Sequence, residues 1–215
     1  MDSVSGVGVL DKGFVLLNTL VARPLSLSEV VEASGIPRAT AHRLLAALEA
    51  HAAVARNAKG EYILGLSMAA LGNAATAQSD FVGHARTIAT SLRDHTGESV
   101  QIYVPEVDGR RCVVSLESSH GLRWIVPEGS LFPLTRGSAG RVLSGAKLSS
   151  GGWIESAEER EKGVASVSAP VVSSHGIVLA AVSVSGPLER LTRQPGKKFG
   201  TLVVRAAQDL ADLIG

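Results

Sequence analysis

Residues 9–21 (VLDKGFVLLNTLV) place Leu10, Phe14, Leu17 and Leu20 at helical spacing, with Leu16 and Val21 alongside, and Arg23-Pro24 ends the helix. Ser26-Leu27-Ser28-Glu29 is a capping-box pattern, in which hydroxyl and carboxylate satisfy first-turn amides. It opens a short helix, Glu29 to Ala33, that Ser34-Gly35 stops. Ile36-Pro37 begins a third helix with Pro at its first position, where a missing N–H costs nothing, and it runs to about Ala50. Two short apolar runs, 54–56 and 62–64, flank the polar turn 57–61 and predict a hairpin. Helix, helix, tight turn, helix, hairpin is the order of a winged helix-turn-helix.

Beyond the hairpin, residues 66–78 predict an Ala-rich linker helix with Gly72-Asn73 as its weak point, and 80–95 a further helix. The period then changes to that of strands, at 99–104, 111–117, 122–126, 164–172 and 177–185, with Pro187 closing the last. An amphipathic helix follows at 198–214. The expected fold class is α+β. The expected domains are a winged helix-turn-helix at 1–65, a linker helix at 66–79 and a ligand-sensing domain at 80–215.

On the third helix, Ala41, Leu44, Leu45 and Leu48 share a face that must be core, while Arg38, Ala39, His42, Arg43 and Ala46 lie opposite, with Thr40 on the flank. A helix that reads DNA needs this composition. Arg can make two hydrogen bonds to guanine, His can donate to base or phosphate, and alanines permit close approach. Arg56, Asn57 and Lys59 on the hairpin would reach phosphates or the minor groove, and Ser28 is a further contact candidate. Taken alone, the helix is also compatible with a solvated amphipathic element. The turn, the capped helix before it and the basic hairpin after it favour double-stranded operator DNA as partner.

Charge changes this picture only locally. The whole chain carries +1, and residues 1–65 balance basic against acidic groups. Within 36–60, however, Arg38, Arg43, Arg56 and Lys59 face a single acid, Glu49, a patch of the size one DNA-binding module needs. The one cysteine, Cys112, excludes an intramolecular disulfide and a Cys-cluster zinc site, and its apolar flanks suit a buried small side chain. Aromatics are 4% of residues, so the cores must be built from Ala, Val and Leu. Asp2, Asp11 and Lys12 break the apolar N-terminus, so no signal peptide is expected, and no run approaches a membrane span. A cytoplasmic protein is expected.

An enzyme is disfavoured. Nucleophile-elbow, P-loop, HExxH and dinucleotide-fingerprint patterns are absent from the sequence. His42, His51, His84, His95, His120 and His175 are scattered, without metal-ligand spacing. No catalytic residue, metal or cofactor is expected. The charged run from Glu158 to Lys162 reads as a solvated turn, and Trp124 and Trp153 could wall a pocket but read first as domain core.

LSLSEVVEASGIPRATAHRLLAALE (25–49) resembles the helix-turn-helix of the IclR family, and GEYILG (60–65) continues into its wing. LRDHTGESVQIY (92–103), LFPLTRGSAGRVL (131–143), GVASVSAPV (163–171) and AAVSVSGPLERLT (180–192) resemble its effector domain, with Arg141 where the family usually has Lys. The resemblance implies a GAF-like sensing domain holding a small carboxylate or amino-acid effector. Carried over position by position, its pocket falls on Ser138, Ala139, Ser156, Ser166, Ser183 and Ser185; the Ser156 position is acidic in an acid-sensing member. Ser183 and Ser185 alternate with Val182 and Val184, so both hydroxyls share one face of a strand, and amides near Gly137 to Gly140 would suit a carboxylate.

SGVGVLDK (5–12), TGESVQ (96–101), residues 152–171 and VSVSGPLERLTRQPG (182–196) look like one subgroup, regulators beside leucine biosynthesis genes in high-GC Gram-positive bacteria. That implies a repressor of leucine or related amino-acid synthesis. The alternative is a regulator of a catabolic pathway sensing an organic or aromatic acid. Half-site geometry implies a homodimer, for which the 66–78 helix is the candidate pairing element, and the resemblance implies a dimer of dimers as a larger form. Between Gly145 and Gly152 the family has a longer segment with a further helix. Either this protein lacks that element beside the pocket or the sequence omits a loop.

Overall fold

A computed structural model describes residues 5–107 and 109–214, so the first four residues and the last, at the ends of the two expected domains, lie outside the described residues. The chain divides at Gln78/Ser79 into two compact units.

The first unit runs α1 (Gly8–Thr19), α2 (Leu27–Ser34), α3 (Arg38–Ala50), β1 (Val54–Arg56), β2 (Tyr62–Leu64) and α4 (Leu66–Ala77). Its core is Leu16, Leu20, Leu25, Val30, Ile36, Ala41, Leu45, Val54 and Tyr62. Leu10 and Phe14 of the predicted α1 stripe lie outside it, more than half exposed. The capping box forms as expected: Ser26 Oγ accepts from the Glu29 amide, and the Glu29 carboxylate accepts from the Ser26 amide at 2.8 Å. Gly35 ends α2 in the left-handed region (φ 66°), which a β-carbon disfavours, and so turns the chain sharply into α3. Pro37 caps α3 rather than opening it, a shift of one residue. β1 and β2 pair antiparallel, and Leu25 bridges to Tyr62, tying the approach to α2 to the wing.

The Ser26 amide and hydroxyl, with Arg23, hold the Glu29 carboxyl well below the usual carboxylate range, at about 2. A carboxyl lowered on folding stabilises above its unfolded value, and that contribution is lost as pH falls from about 4.5 towards 2. The protection factors of the first-turn amides of α2, taken against the unfolded exchange rate at each pH, should therefore fall over that interval, and Glu29→Gln should remove this pH dependence.

The second unit runs α5 (Asp80–Thr96), β3 (Ser99–Glu106), β4 (Gly109–Leu116), β5 (Leu131–Phe132), α6 (Ser138–Leu143), β6 (Ile154–Ala157), β7 (Val164–Val172), β8 (Val178–Pro187), α7 (Leu188–Leu191) and α8 (Pro195–Ile214). The strands form one antiparallel sheet in the order β5-β4-β3-β8-β7-β6. Strand alternation sorts the side chains by face. Val100, Ile102, Val167, Ala169, Val182 and Val184 point to α5 and α8, where Ala85, Ala89, Leu92, Phe199, Val203 and Leu210 complete the main core. The opposite parity carries Tyr103 and Ala181, which join Cys112, Ala139 and Val142 in a smaller cluster beneath α6. A bulge between Ile102 and Tyr103 makes the switch in β4, because Val114 pairs with Ile102 but Cys112 with Tyr103.

The 122–126 segment is not a strand. It is apolar enough to suggest one, yet makes no ladder and crosses the surface as a loop. β5, β6, α6 and α7 are short elements that the pattern of the sequence alone did not mark out. The segment joining α6 to β6 is a tight continuous turn, in which the Ser149 amide donates to the Trp153 carbonyl. Among the described residues no helix is long and apolar enough to cross a membrane.

Candidate functional sites

The core face of α3 is sealed by Ala41 and Leu45, with Leu44 and Leu48 packed beside them. That leaves Arg38, Ala39, His42, Arg43 and Ala46 exposed and Thr40 half-buried on its flank. Arg38 reaches back to α2, where its Nη1 donates to exposed Ser28 Oγ at 3.1 Å. This brings Ser28 into line with the reading face. The His42, Arg43 and Lys59 side chains have no hydrogen-bond or ion-pair partner among the described residues, so their donors face solvent.

Arg56 and Asn57 are engaged by the fold itself. The Arg56 guanidinium stacks on the Tyr62 ring at 4.4 Å, donates to its hydroxyl at 2.7 Å and pairs with Glu49 at 3.1 Å. Asn57 Oδ1 accepts from the Lys59 and Glu61 amides, and its Nδ2 donates to Glu61, so the side chain builds the wing turn. The single acid of the basic patch, Glu49, thus offsets the one arginine it touches.

In the second unit, Ser138, Ala139, Ser156, Ser166, Ser183 and Ser185, from α6, β6, β7 and β8, line one cavity, joined by Tyr103, Arg110, Trp124, Gly137, Glu159, Arg160 and Val164. Ser138 Oγ lies 2.7 Å from both Ser166 Oγ and Ser168 Oγ, and Ser156 Oγ is 3.0 Å from Ser166 Oγ. Ser185 Oγ donates to Gln101 at 2.6 Å. The free space is about 30 Å³, close to the share of one water in the liquid.

Two of the four amides from Gly137 to Gly140 are already engaged. Gly137 N–H donates to Glu159 at 3.0 Å and Ser138 N–H to Ser156 Oγ at 3.2 Å, on a helix of six residues. The expectation of helix-start amides for a carboxylate therefore rests on Ala139 and Gly140.

The missing part of the pocket is its cationic and aromatic wall. Arg110 is 1% exposed, donates to the Pro133 carbonyl, and stands 5.3 Å from the Tyr103 ring and 5.7 Å from Phe132. Arg160 lies 4.1 Å from the Phe132 ring centre and 5.5 Å from Trp124. The Glu158–Lys162 run is therefore not simply a solvated turn: Glu159 and Arg160 enter the cavity wall, while Glu159 pairs with Arg141 at 3.1 Å. Trp124 both packs against the Tyr103–Cys112–Val126 cluster and lines the cavity. Trp153 packs closely against Gly151, Gly196 and Gly200, where a β-carbon would strike its ring. Burial pushes the Tyr103 phenol and the Cys112 thiol each up to about 12, and it lowers Arg110 from the ordinary guanidinium value. Cys112 is fully buried and un-ionised, as its apolar flanks suggested. Among the described residues no cluster of His, Cys, Asp or Glu could hold a metal ion.

Gly140 is what lets Arg110 lie under α6. A β-carbon there would collide with the Arg110 guanidinium and the Leu134 carbonyl, and the backbone oxygen cannot swing aside. Gly140→Ala should destabilise this unit by about 1–3 kcal/mol in chemical denaturation.

Two family models match the chain, the IclR helix-turn-helix domain over residues 9–58 and the bacterial transcriptional regulator IclR C-terminal over 146–212. It is similar to a glycerol operon regulatory protein of Streptomyces griseus, 27% identical with 94% of this chain and 92% of the relative covered. The transcriptional repressor IclR of Escherichia coli is 21% identical, with 94% and 88% covered. These alignments run to 237 and 240 positions against a chain of 215 residues, so the relatives carry residues that this chain lacks. An IclR transcriptional regulator from Alicyclobacillus acidocaldarius has the same fold, with a TM-score of 0.83 at 20% identity over all of both chains. With both halves of its architecture matched, and the two models together spanning more than half its residues, the chain belongs to the IclR family of DNA-binding transcription regulators, which are not enzymes.

Proposed function

We propose that the protein represses transcription by laying α3 in the major groove of its operator and that a small carboxylate effector in the serine-lined cavity modulates this binding. The observation that carries the first half is the exposed face of α3, with Arg38, Thr40, His42 and Arg43 available to bases and Ala39 permitting close approach. Ser28 and Lys59 supply phosphate contacts, and Arg56 and Asn57 hold the wing in shape beside them. In this reading 1–65 binds DNA, 66–79 links and 80–215 senses.

One such unit reads one half-site, so two copies act together. Leu66 and Leu71 on α4, which has no buried residue, and Leu10 and Phe14 on α1 are the apolar side chains that a second copy would cover. The cavity reading draws on the convergence of all six expected residues upon one space. Relatives named for a glycerol operon and an acetate operon favour control of a small-molecule pathway, and a similar structure from Microbacterium hydrocarbonoxydans is complexed with 4-hydroxybenzoate. A second reading, repression of leucine synthesis with an amino acid as effector, is favoured by the segments at 5–12, 96–101, 152–171 and 182–196.

The test is a gel shift with DNA upstream of the regulator's own and neighbouring genes, where absence of any shift at low salt rejects operator binding. Lys59→Ala should weaken binding evenly across sequences and reduce the salt slope by about 1. Calorimetry with small organic acids, leucine and other amino acids compares the parent with a Ser183→Ala/Ser185→Ala pair; equal heats for a ligand that the parent binds would reject the pocket.

A further inference from the structure

Among the described residues, two buried side-chain nitrogens lack a hydrogen-bond partner: Gln101 Nε2 and Arg110 Nε. Both belong to residues only 1% exposed, and both sit on the α6 face of the sheet. Gln101 is opposite Ser183 in register and holds the Ser185 hydroxyl, while Arg110 lines the cavity itself. Leaving a buried donor unpaired costs free energy, so the Arg110 Nε on this small cavity, with Gln101 Nε2 behind its Ser185 wall, points to an acceptor in the cavity.

Charge narrows the acceptor. Arg110 and Arg160 flank the same Phe132 ring at 5.7 and 4.1 Å, and neither has a carboxylate partner among the described residues. The acid in the wall, Glu159, is committed to Arg141 and to the Gly137 amide. Facing these cations are hydroxyls, which are neutral, so nothing in the wall would compensate an ammonium group. Two guanidinium groups in a water-poor, aromatic-walled site repel a second cation and attract an anion strongly.

We propose that Arg110 and Arg160 are the specificity-determining pair of this cavity: they hold the anionic group of the effector against the Tyr103–Phe132–Trp124 wall and reject ligands that carry an ammonium group beside it. The proposal rests on the reading of the cavity as the effector pocket. Arg160 has a second part in it. With about 30 Å³ free, the cavity holds no organic acid while that side chain lies across Phe132, so entry requires Arg160 to leave the ring and close on the carboxylate.

The experiment uses the full chain and ligands matched in shape. Leucine and 4-methyl-2-oxopentanoate share a skeleton and differ at one carbon, ammonium against oxo. Each is titrated by calorimetry and by melting at constant ionic strength, with benzoate as a planar acid and sodium chloride as the control anion. The expected result is that the oxo acid or benzoate binds at least tenfold tighter than leucine, and that Arg160→Gln abolishes this preference. Trp124 emission should change on binding in the parent and not in the variant.

Arg110→Gln is the second variant, and Arg160→Gln keeps the test open should it fail to fold. Leucine binding as tightly as its oxo analogue, or a preference unchanged in Arg160→Gln, overturns the proposal while the pocket stands if Ser183→Ala/Ser185→Ala weakens the same ligand. Heats unaffected by the serine pair reject the pocket reading and the proposal with it. No acid shifting the melting of the parent beyond chloride also overturns the proposal.

Discussion

Arg38→Ala combined with Arg43→Ala should weaken specific operator binding on the order of a hundredfold or more, with each substitution removing about 1–3 kcal/mol. Both side chains are exposed on α3 away from its buried face, and neither supports the core, so the double variant should melt as the parent does. Alanine is the better helix former, which offsets the one tie lost, Arg38 to Ser28. The two arginines differ in preparation. Arg38 is held by Ser28 in the free protein and arrives oriented, whereas Arg43 must be ordered by the DNA. Titrations of the single variants against operator and against unrelated DNA separate base reading from charge. Equal losses on both DNAs would mean that the arginines act only on phosphates, and the assignment of α3 as reading helix would fall.

The reading face was legible because helical period and exposure coincide there: the residues opposite Ala41 and Leu45 had nowhere to go but solvent. In the wing the same logic does not show what the fold itself does with the side chains. Arg56 and Asn57 have the right types for phosphate contact, but Tyr62 and Glu49 engage the first and the turn amides the second. Those partners are close in sequence, so a reading of turn chemistry could have found Asn57; the stacking on Tyr62 needed the strand register.

In the sensing unit, alternation in Val182–Ser185 placed Ser183 and Ser185 on one face of the strand, as the structure has them. It did not reveal what stands opposite them. Arg110 sits just ahead of the apolar run taken as the start of β4, and extending that strand by two residues would have put it on the same side as Cys112. The bulge that brings Cys112 beneath Tyr103 leaves no mark in composition. Arg160 was hidden by its acidic neighbours, which make the segment look like a solvated turn, whereas Trp124 was open to both readings, wall and core, and serves as both.

A buried ion pair joins two of the motifs that carried the family resemblance. Glu98 lies in TGESVQ, between α5 and β3, and Arg190 in SGPLERLT, where β8 passes into α7. The Arg190 guanidinium meets Glu98 with Nε and Nη2 at 2.7 and 2.8 Å, and the Glu98 side chain is only 3% exposed. Gly186 makes room for the carboxylate, since a β-carbon there would stand 2.6 Å from Oε2. Arg190→Met should therefore cost about 3 kcal/mol in denaturant unfolding, because it strands a desolvated carboxylate rather than merely deleting an attraction. Glu98→Gln in the Arg190→Met background should restore much of that loss, a coupling that a double-mutant cycle reads directly. The pair clamps the beginning of β3 to the end of β8, the stretch in which Gln101 holds the cavity-lining Ser185. Effector affinity should fall with stability in Arg190→Met and return with it in the double variant, whereas a purely local role would let the two readouts part. A loss below about 1 kcal/mol would place the pair among ordinary surface ion pairs and remove the clamp.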